Sequence, residues 1–300
     1  MAISCIALGG CEKQPAAQKT NPKNPIQVMV SILPQIEFVK KIGGDNVNVE
    51  AMIEPGFSPA TYEPAPEQIK KLAKADLYIR IGYIPFEKAQ MDKLKSLNPK
   101  MKILNFSKGL DLLKIKEPRY HEHEEGYEEN HKKEKKMDLI DPHLWLSPKR
   151  VKRGLPAIAQ ALTEKRPELE LFFKQNLRQY TRELDILDQE LETQFSLLEN
   201  RQFLVYHPAF GYLADDYGLT QIAIEEQGKE PTAAWLAHLV KQARENNIKV
   251  VFIQKQFSTQ AAENLATEIN GVVVPIDPLN PNYLDNMRNI GQTIHQYLNQ

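Results

Sequence analysis

Residues 167–199, PELELFFKQNLRQYTRELDILDQELETQFSLLE, decide the fold because they predict one long, uninterrupted helix. After the first residue the stretch contains neither glycine nor proline. Its apolar residues recur at intervals of three or four, the spacing of one buried helix face; they are Leu177, Tyr180, Leu184, Leu187, Leu191, Phe195 and Leu198. About 30 helical residues span ~45 Å, enough to run from one domain into the next. A coiled-coil dimer is the alternative, but one short seam flanked by α/β units favours packing within the chain.

Strands and helical stretches alternate on both sides of this helix. The predicted strands are β-rich apolar runs at 26–33, 47–53, 77–81 and 101–106 before it, and at 203–206, 220–224, 250–253 and 272–275 after it. Such alternation predicts parallel sheets covered by helices. We therefore predict an α/β fold of two lobes with mainly parallel sheets, joined by one long rigid helix. The first lobe covers 26–166, the linker helix 167–199 and the second lobe 200–300.

The composition is typical of a globular protein. The chain has 300 residues, a length that favours two domains; 26% are charged and 42% hydrophobic. A net charge of −1 gives no reason to expect a nucleic acid partner. No apolar run approaches the ~20 residues of a membrane-spanning helix, so we predict that the chain does not cross a bilayer.

The first 25 residues predict a lipoprotein signal and tether. Residues 2–10 carry no charge, and Leu8-Gly9-Gly10-Cys11 resembles a bacterial lipoprotein cleavage box. On this interpretation residues 1–10 are removed, Cys11 is lipidated and 12–25 form a polar tether. The protein would then be extracytoplasmic, either membrane-anchored or periplasmic, in a bacterium. The signal is short and lacks a basic start, so the true start could lie further upstream. The alternative is a disordered tail with two chance cysteines.

A charged loop at 114–138 interrupts the first lobe. It is dense in lysine and glutamate and contains His121, His123 and His131. Long loops of this kind are usually functional or disordered. We consider two interpretations, a tether that collects zinc ions and an ordinary solvated loop.

Three separate motifs each place a metal-ligand side chain beside a proline. They are His143 in DPHLW (141–145), His207 in YHP (206–208) and Asp277 in IDP (276–278). Each lies at the end of a predicted strand or the start of a helix, where ligands collect in α/β folds. Two imidazoles and a carboxylate suit zinc. In the alternative interpretation His143 caps the following helix or hydrogen-bonds within its loop, and Asp277 forms a turn or N-cap.

These motifs belong to an ordered set that carries a resemblance. The set is EPG (54–56), YEP (62–64), DPHLWLSP (141–148), YHPAFGY (206–212), YGL (217–219), KEPT (229–232) and DPL (277–279). Over residues 26–300 the chain resembles the zinc-type substrate-binding proteins of bacterial ATP-driven metal importers, a family that also contains manganese binders. The resemblance implies two α/β lobes bridged by a helix, with the metal in the cleft between them. It also implies a membrane permease of an ABC importer as partner, and we expect a monomer.

The resemblance assigns His143 to the first lobe's part of the site, and His207 and Asp277 to the second's. It favours Zn²⁺ over Mn²⁺, because manganese members place a carboxylate where His207 stands, and manganese prefers oxygen-rich sites. The chain departs from the family at Ala60, where a histidine ligand is expected. Three outcomes stay open: three protein ligands plus water, a fourth ligand from the charged loop, or a degraded site. Glu63 is a further candidate ligand.

Three functional classes follow from these residues. The first is capture of zinc and its delivery to a permease. The second is a zinc hydrolase, but the chain has no His-Glu-x-x-His pair and no evident general base, so we predict no catalytic residue and no enzyme. The third is a lipoprotein of the same fold that binds another metal or cargo or acts in adhesion. Glu225 and Glu226 are expected to pair with a lysine or to support the site.

Overall fold

The computed structural model describes residues 24–115, 139–226 and 228–299. The predicted signal, Cys11 and most of the tether lie outside these residues. So do the three histidines of the charged loop, His121, His123 and His131. Within the described residues, no helix is both long enough and apolar enough to cross a membrane.

The first lobe is a parallel sheet with helices. Within the described residues its strands are β1 (Ile26–Val30), β2 (Val47–Ala51), β3 (Leu77–Arg80) and β4 (Lys102–Asn105). All neighbours are parallel, in the order β2-β1-β3-β4. The helices are α1 (Pro34–Gly43), α2 (Pro66–Leu72), α3 (Pro85–Leu97) and α4 (Pro148–Lys165). Each begins with proline. The fixed φ of proline suits the first helical turn, and its missing N–H costs nothing there because N–H groups of the first turn have no partner within the helix.

The second lobe repeats this arrangement. Its described strands are β5 (Gln202–Val205), β6 (Thr220–Ala223), β7 (Val250–Ile253) and β8 (Val272–Pro275). They are parallel in the order β6-β5-β7-β8. Its helices are α6 (Gly211–Tyr217), α7 (Ala233–Glu245), α8 (Gln260–Glu268) and α9 (Tyr283–Leu298). In both sheets the direction in which successive strands are added to the sheet reverses between the two central strands, a point where α/β folds form a crevice at the carboxyl ends. The predicted α/β fold with two parallel sheets is confirmed.

The predicted long helix is present as α5 (Glu170–Ser196), which has 27 residues and is about 40 Å long. It begins three residues later than expected because Pro167–Leu169 forms a separate 3-10 turn. Its buried residues are Phe173, Tyr180, Leu184, Leu187, Leu191 and Phe195. This face packs on α1 and α4 of the first lobe and on α9. One hydrophobic cluster therefore contains side chains of both sheets and of α5.

The helices α1, α5 and α9 meet at Glu37. Its Oε1 accepts hydrogen bonds from the Tyr180 hydroxyl at 3.2 Å and from the backbone N–H of Leu284 at 3.4 Å. Nearby, the Phe38 and Tyr283 rings meet edge to face with centroids 4.9 Å apart. Burial raises the pKa of Glu37 above its ordinary value, and the hydrogen bonds from α9 and Tyr180 oppose that rise. The C-terminal helix is thus fixed to the first lobe.

The closest approach of α5 and α9 depends on Gly291. A Cβ at this position would lie 2.3 Å from Leu191 Cδ2 and 2.7 Å from Gln194 Oε1. We expect Gly291→Ala to lower the free energy of unfolding by about 1–3 kcal/mol, because the two helices must separate. Urea denaturation measures the change. Asn289→Ala, on the exposed face of α9, is the control for helix propensity; an equal effect of both substitutions would contradict the close approach.

Glu37 predicts a pH-dependent contribution to stability. Because its pKa is raised in the folded state, folding favours the protonated form. The cost of ionised Glu37 is fully present above its folded pKa and disappears below its unfolded pKa. We therefore expect Glu37→Gln to unfold at a higher temperature than the unmodified chain at pH 8, with the difference shrinking as the pH falls through the folded pKa of Glu37. Calorimetry across this range is the measurement. Glu67→Gln, at an exposed position of α2, controls for the loss of one charge.

Candidate metal centre

His143 is held by a turn between the first lobe's sheet and α4. The Asp141 carboxylate oxygen Oδ1 accepts the backbone N–H of His143 at 2.9 Å and lies 2.7 Å from its Nδ1. An aspartate whose side chain accepts the backbone N–H two residues further on is a common turn arrangement. The 3-10 turn Leu144–Leu146 follows, and Ser147 caps α4 by accepting from the Arg150 N–H at 3.0 Å. The imidazole orientation is therefore set by its own chain segment.

The second lobe also contacts the Asp141 turn. The Tyr212 hydroxyl donates to the Asp141 carbonyl oxygen at 2.9 Å. Asp141 Oδ2 lies against Gly211, where a Cβ would be only 2.6 Å from it. A side chain at Gly211 would displace the carboxylate that orients His143.

His207 lies just beyond the carboxyl end of the central strand β5. Gln254, which follows the neighbouring strand β7, fixes its backbone from both sides. The Gln254 Oε1 accepts the His207 N–H at 3.2 Å, and its Nε2 donates to the His207 carbonyl at 2.7 Å. On the other side, Glu225 follows β6, and its Oε1 lies 2.8 Å from His207 Nδ1. The strand order β6-β5-β7 thus brings both supporting residues to the histidine.

The two imidazoles face each other, with their Nε2 atoms 3.1 Å apart. Each Nδ1 lies against a carboxylate, so each neutral ring carries its proton there and directs the Nε2 lone pair at the other ring. Two lone pairs at this distance repel unless a proton or a cation lies between them. Two nitrogens bound to one tetrahedral zinc at ~2.0 Å lie about 3.3 Å apart. The pair therefore fits a metal ion with little rearrangement.

Burial favours the neutral, metal-binding form of His207. The side chains of His143 and His207 are 10% and 14% exposed, and those of Asp141 and Glu225 are 8% and 6% exposed. Burial lowers the pKa of His207 below its ordinary value, His143 acts in the same direction, and Glu225 opposes both. At neutral pH a metal therefore does not have to displace a proton from His207.

Aromatic rings enclose the histidine pair. The Trp145 ring is 5.2 Å from the His143 ring, at an angle of 57°. The Phe257 ring stacks on His207 at 5.0 Å and 20°. Apolar walls of this kind limit water access and strengthen electrostatic interactions at the site.

The predicted ligand Asp277 lies just beyond the carboxyl end of β8. Because β7 separates β8 from β5, Asp277 follows a strand two positions, or roughly 10 Å, from the strand of His207. Its Oδ1 accepts the Leu279 N–H at 2.9 Å, the turn geometry considered as its alternative role. Among the described residues, no three or more His, Cys, Asp or Glu side chains are placed together as a metal-binding group. The ligand role of Asp277 therefore stays a prediction.

The loop after β2 contains the other two positions singled out by the sequence. Ala60 is exposed, and its N–H donates to Ser58 Oγ at 3.3 Å. Glu63 is exposed in the same loop, so its contribution to the site also stays a prediction. The three loop histidines fall outside the described residues.

The carboxylate partners of the histidines were only partly expected. Glu225 was a candidate for supporting the site, and the structure places it against His207. Glu226 instead accepts the Thr232 N–H at 2.9 Å. Asp141 was not assigned a role, although its position two residues before His143 was the available signal. The arrangement is a row of carboxylate, imidazole, imidazole and carboxylate that spans the two lobes.

Known proteins resemble this chain in sequence and in fold. The family model for the periplasmic zinc-uptake complex component A, ZnuA, matches residues 28–297. The high-affinity zinc uptake system protein ZnuA of Bacillus subtilis is 30% identical over 256 residues, 81% of this chain and 75% of that protein. The zinc-binding lipoprotein AdcA of Streptococcus pneumoniae serotype 4 is 30% identical over 287 residues, 93% of this chain. The chain spans only 53% of that protein, about half its length.

A solved structure agrees with these relatives. A crystal structure of ZnuA superposes with a TM-score of 0.82 at 37% identity, covering 92% of this chain and all of that one. The family resemblance expected from the ordered motifs is confirmed.

Glu225 provides a test of the centre. Glu225→Gln keeps the size of the side chain but removes the charge that holds the His207 proton on Nδ1. We expect a fall of about 10–100-fold in affinity for a divalent transition metal, the usual effect of losing such a partner. Competition with a chromogenic chelator measures it. Glu190→Gln, which removes a partner of Arg288 at a distance of 2.7 Å on the surface, is the matched control. If the two variants bind the metal with equal affinity, Glu225 does not support the metal centre.

Proposed function

The chain belongs to the family of periplasmic zinc-uptake complex component A proteins, and from this premise we propose that it captures Zn²⁺ between its lobes and delivers it to the permease of an ABC importer. The observation that carries the proposal is the pair of facing imidazoles, His143 from the first lobe and His207 from the second, with Nε2 atoms 3.1 Å apart. Their separation suits zinc, and their nitrogen donors favour zinc over manganese.

We propose that Asp277 provides the third ligand and that water occupies the position near Ala60. A zinc site with three protein ligands keeps one position open, which suits an ion that must later be passed on. Asp277 and His207 both follow strands of the second sheet, at its carboxyl edge, and on binding the carboxylate would turn from the Leu279 N–H toward the histidines. A loop histidine or Glu63 in the open position is the competing arrangement.

The two-lobed architecture suggests how delivery occurs. The buried face of α5 packs on helices of the first lobe and on α9, so a large hinge motion would expose apolar surface. We propose that metal binding orders loops at the cleft and that the permease recognises the loaded form. The protein acts as a binding protein, not an enzyme, and the energy for transport comes from a separate ATPase.

The proposed location follows from the N-terminus. We propose that Cys11 is lipidated and anchors a monomer outside the cytoplasmic membrane, with residues 12–25 as tether. We further propose the division into a first lobe (26–166, including the charged loop 114–138), a linker helix (167–199) and a second lobe (200–300). The last helix, α9, packs across this division on α5.

The proposal is tested by titrating zinc into metal-free protein of residues 12–300 against a chromogenic chelator. We expect tight one-to-one binding that is lost in His207→Ala. His295→Ala is the matched control, because this histidine lies on α9 and its Nδ1 is 2.8 Å from the Gln194 carbonyl. Absence of stoichiometric binding by the unmodified chain would refute zinc delivery.

A deletion of residues 118–136 separates the two arrangements of the open position. We expect one-to-one binding to persist, because water completes the site. Loss of binding in this variant, with the fold retained by circular dichroism, would place a loop histidine there instead.

A further inference from the structure

The short segment that carries Asp277 is held by hydrogen bonds from outside its own strand. The indole N–H of Trp145 donates to the Pro278 carbonyl at 2.8 Å, across the interface between the lobes. The side-chain amide of Asn286 donates to the Asp277 carbonyl at 2.7 Å. Carbonyls removed from water need partners of this kind. Together with the hydrogen bond from the Ile276 N–H to the Ile253 carbonyl at 2.8 Å, these two bonds hold the Asp277 backbone in place.

Trp145 links this segment to the other half of the centre. It is 1% exposed, and its ring packs against His143 at 5.2 Å. Trp145 therefore contacts the predicted ligand His143 and also Pro278, the residue that follows the predicted ligand Asp277. Because indole is rigid and fully buried here, a shift of Trp145 would disturb both the His143 ring and the backbone next to Asp277.

Asn286 fixes the segment from the opposite side. It belongs to the first turns of α9, where the Leu284 N–H donates to Glu37 Oε1 of the first lobe at 3.4 Å. The backbone around Asp277 is thus tied to the first lobe directly through Trp145 and indirectly through Asn286 and Glu37.

We propose that Trp145 and Asn286 are positioning residues that place the Asp277 carboxylate for metal binding without touching the metal. The proposal rests on the proposed function, in which Asp277 is a zinc ligand. An aspartate side chain is short, so its reach depends closely on where its backbone lies. When the site is loaded, the carboxylate leaves the Leu279 N–H, and the two donors keep the backbone in place. A ligand already held near its bound position loses less conformational freedom on binding.

The first test is Trp145→Phe in the protein of residues 12–300. Phenylalanine keeps an aromatic ring beside His143 but removes the indole N–H. We expect zinc affinity to fall about 10-fold, as for other residues that orient ligands. The matched control is Asn176→Ala, which removes a side-chain hydrogen bond of similar length, 2.9 Å, from α5 to the Ile42 carbonyl, away from the centre. Zinc affinity of the control should be unchanged.

A double-mutant cycle separates positioning from general destabilisation. If Trp145 acts through Asp277, Trp145→Phe should cause little further loss of zinc affinity in an Asp277→Ala background. A purely structural role would give the same loss in both backgrounds. The absorption spectrum of bound Co²⁺ is the second measurement: Trp145→Phe and Asp277→Ala should change it in the same direction. The same double-mutant cycle is measured for Asn286→Ala with Asp277→Ala, and it tests the proposal if Trp145→Phe does not fold.

The outcomes distinguish this inference from the function on which it rests. No zinc binding by the unmodified chain overturns both. Zinc binding that Asp277→Ala leaves unchanged overturns the inference alone, because other ligands would then complete the site. Equal losses from Trp145→Phe with and without Asp277, or no loss from either positioning variant, overturn it as well.

Discussion

The buried face of α5 is the constraint on which the rest of the structure depends. Its apolar side chains contribute to one hydrophobic cluster that also contains residues of both sheets. Neither lobe can rotate far without exposing part of this cluster, and its burial at roughly 25 cal/mol per Å² opposes such exposure. Because the helix fixes the lobes, two histidines 64 positions apart in the chain face each other where the lobes meet.

The metal centre contains two carboxylates whose negative charges a divalent cation neutralises. Asp141 and Glu225 supply two carboxylates behind two imidazoles that coordinate metal in their neutral form. One Zn²⁺ between the rings brings the net charge of the row to zero. A buried row with two negative charges and no cation is electrostatically costly, since little water is present to screen the charges. The same carboxylates that orient the rings therefore also contribute to the attraction of the ion.

Sequence patterns were sufficient to predict the strands and the long helix, but not to predict which strands lie next to each other in the sheets. Apolar runs and helical spacing predicted the eight described strands and α5, because hydrophobic periodicity is a local property. Strand order is not local. The pairing of β5 with β6 brings Glu225 to His207, and β7 separates Asp277 from it; neither follows from the alternation of strands and helices. Asp141 was overlooked because a turn-forming aspartate before proline is common whether or not it orients a histidine.

The contact between Glu37 and Leu284 joins positions 247 residues apart. Helix α1 therefore receives one of its polar partners only after α9 has been synthesised. The junction of α1, α5 and α9 therefore joins elements that lie far apart along the described chain. Contacts of such long sequence separation slow folding. Until α9 docks, the apolar side chains of α1 and α5 that it covers have no partner from this helix.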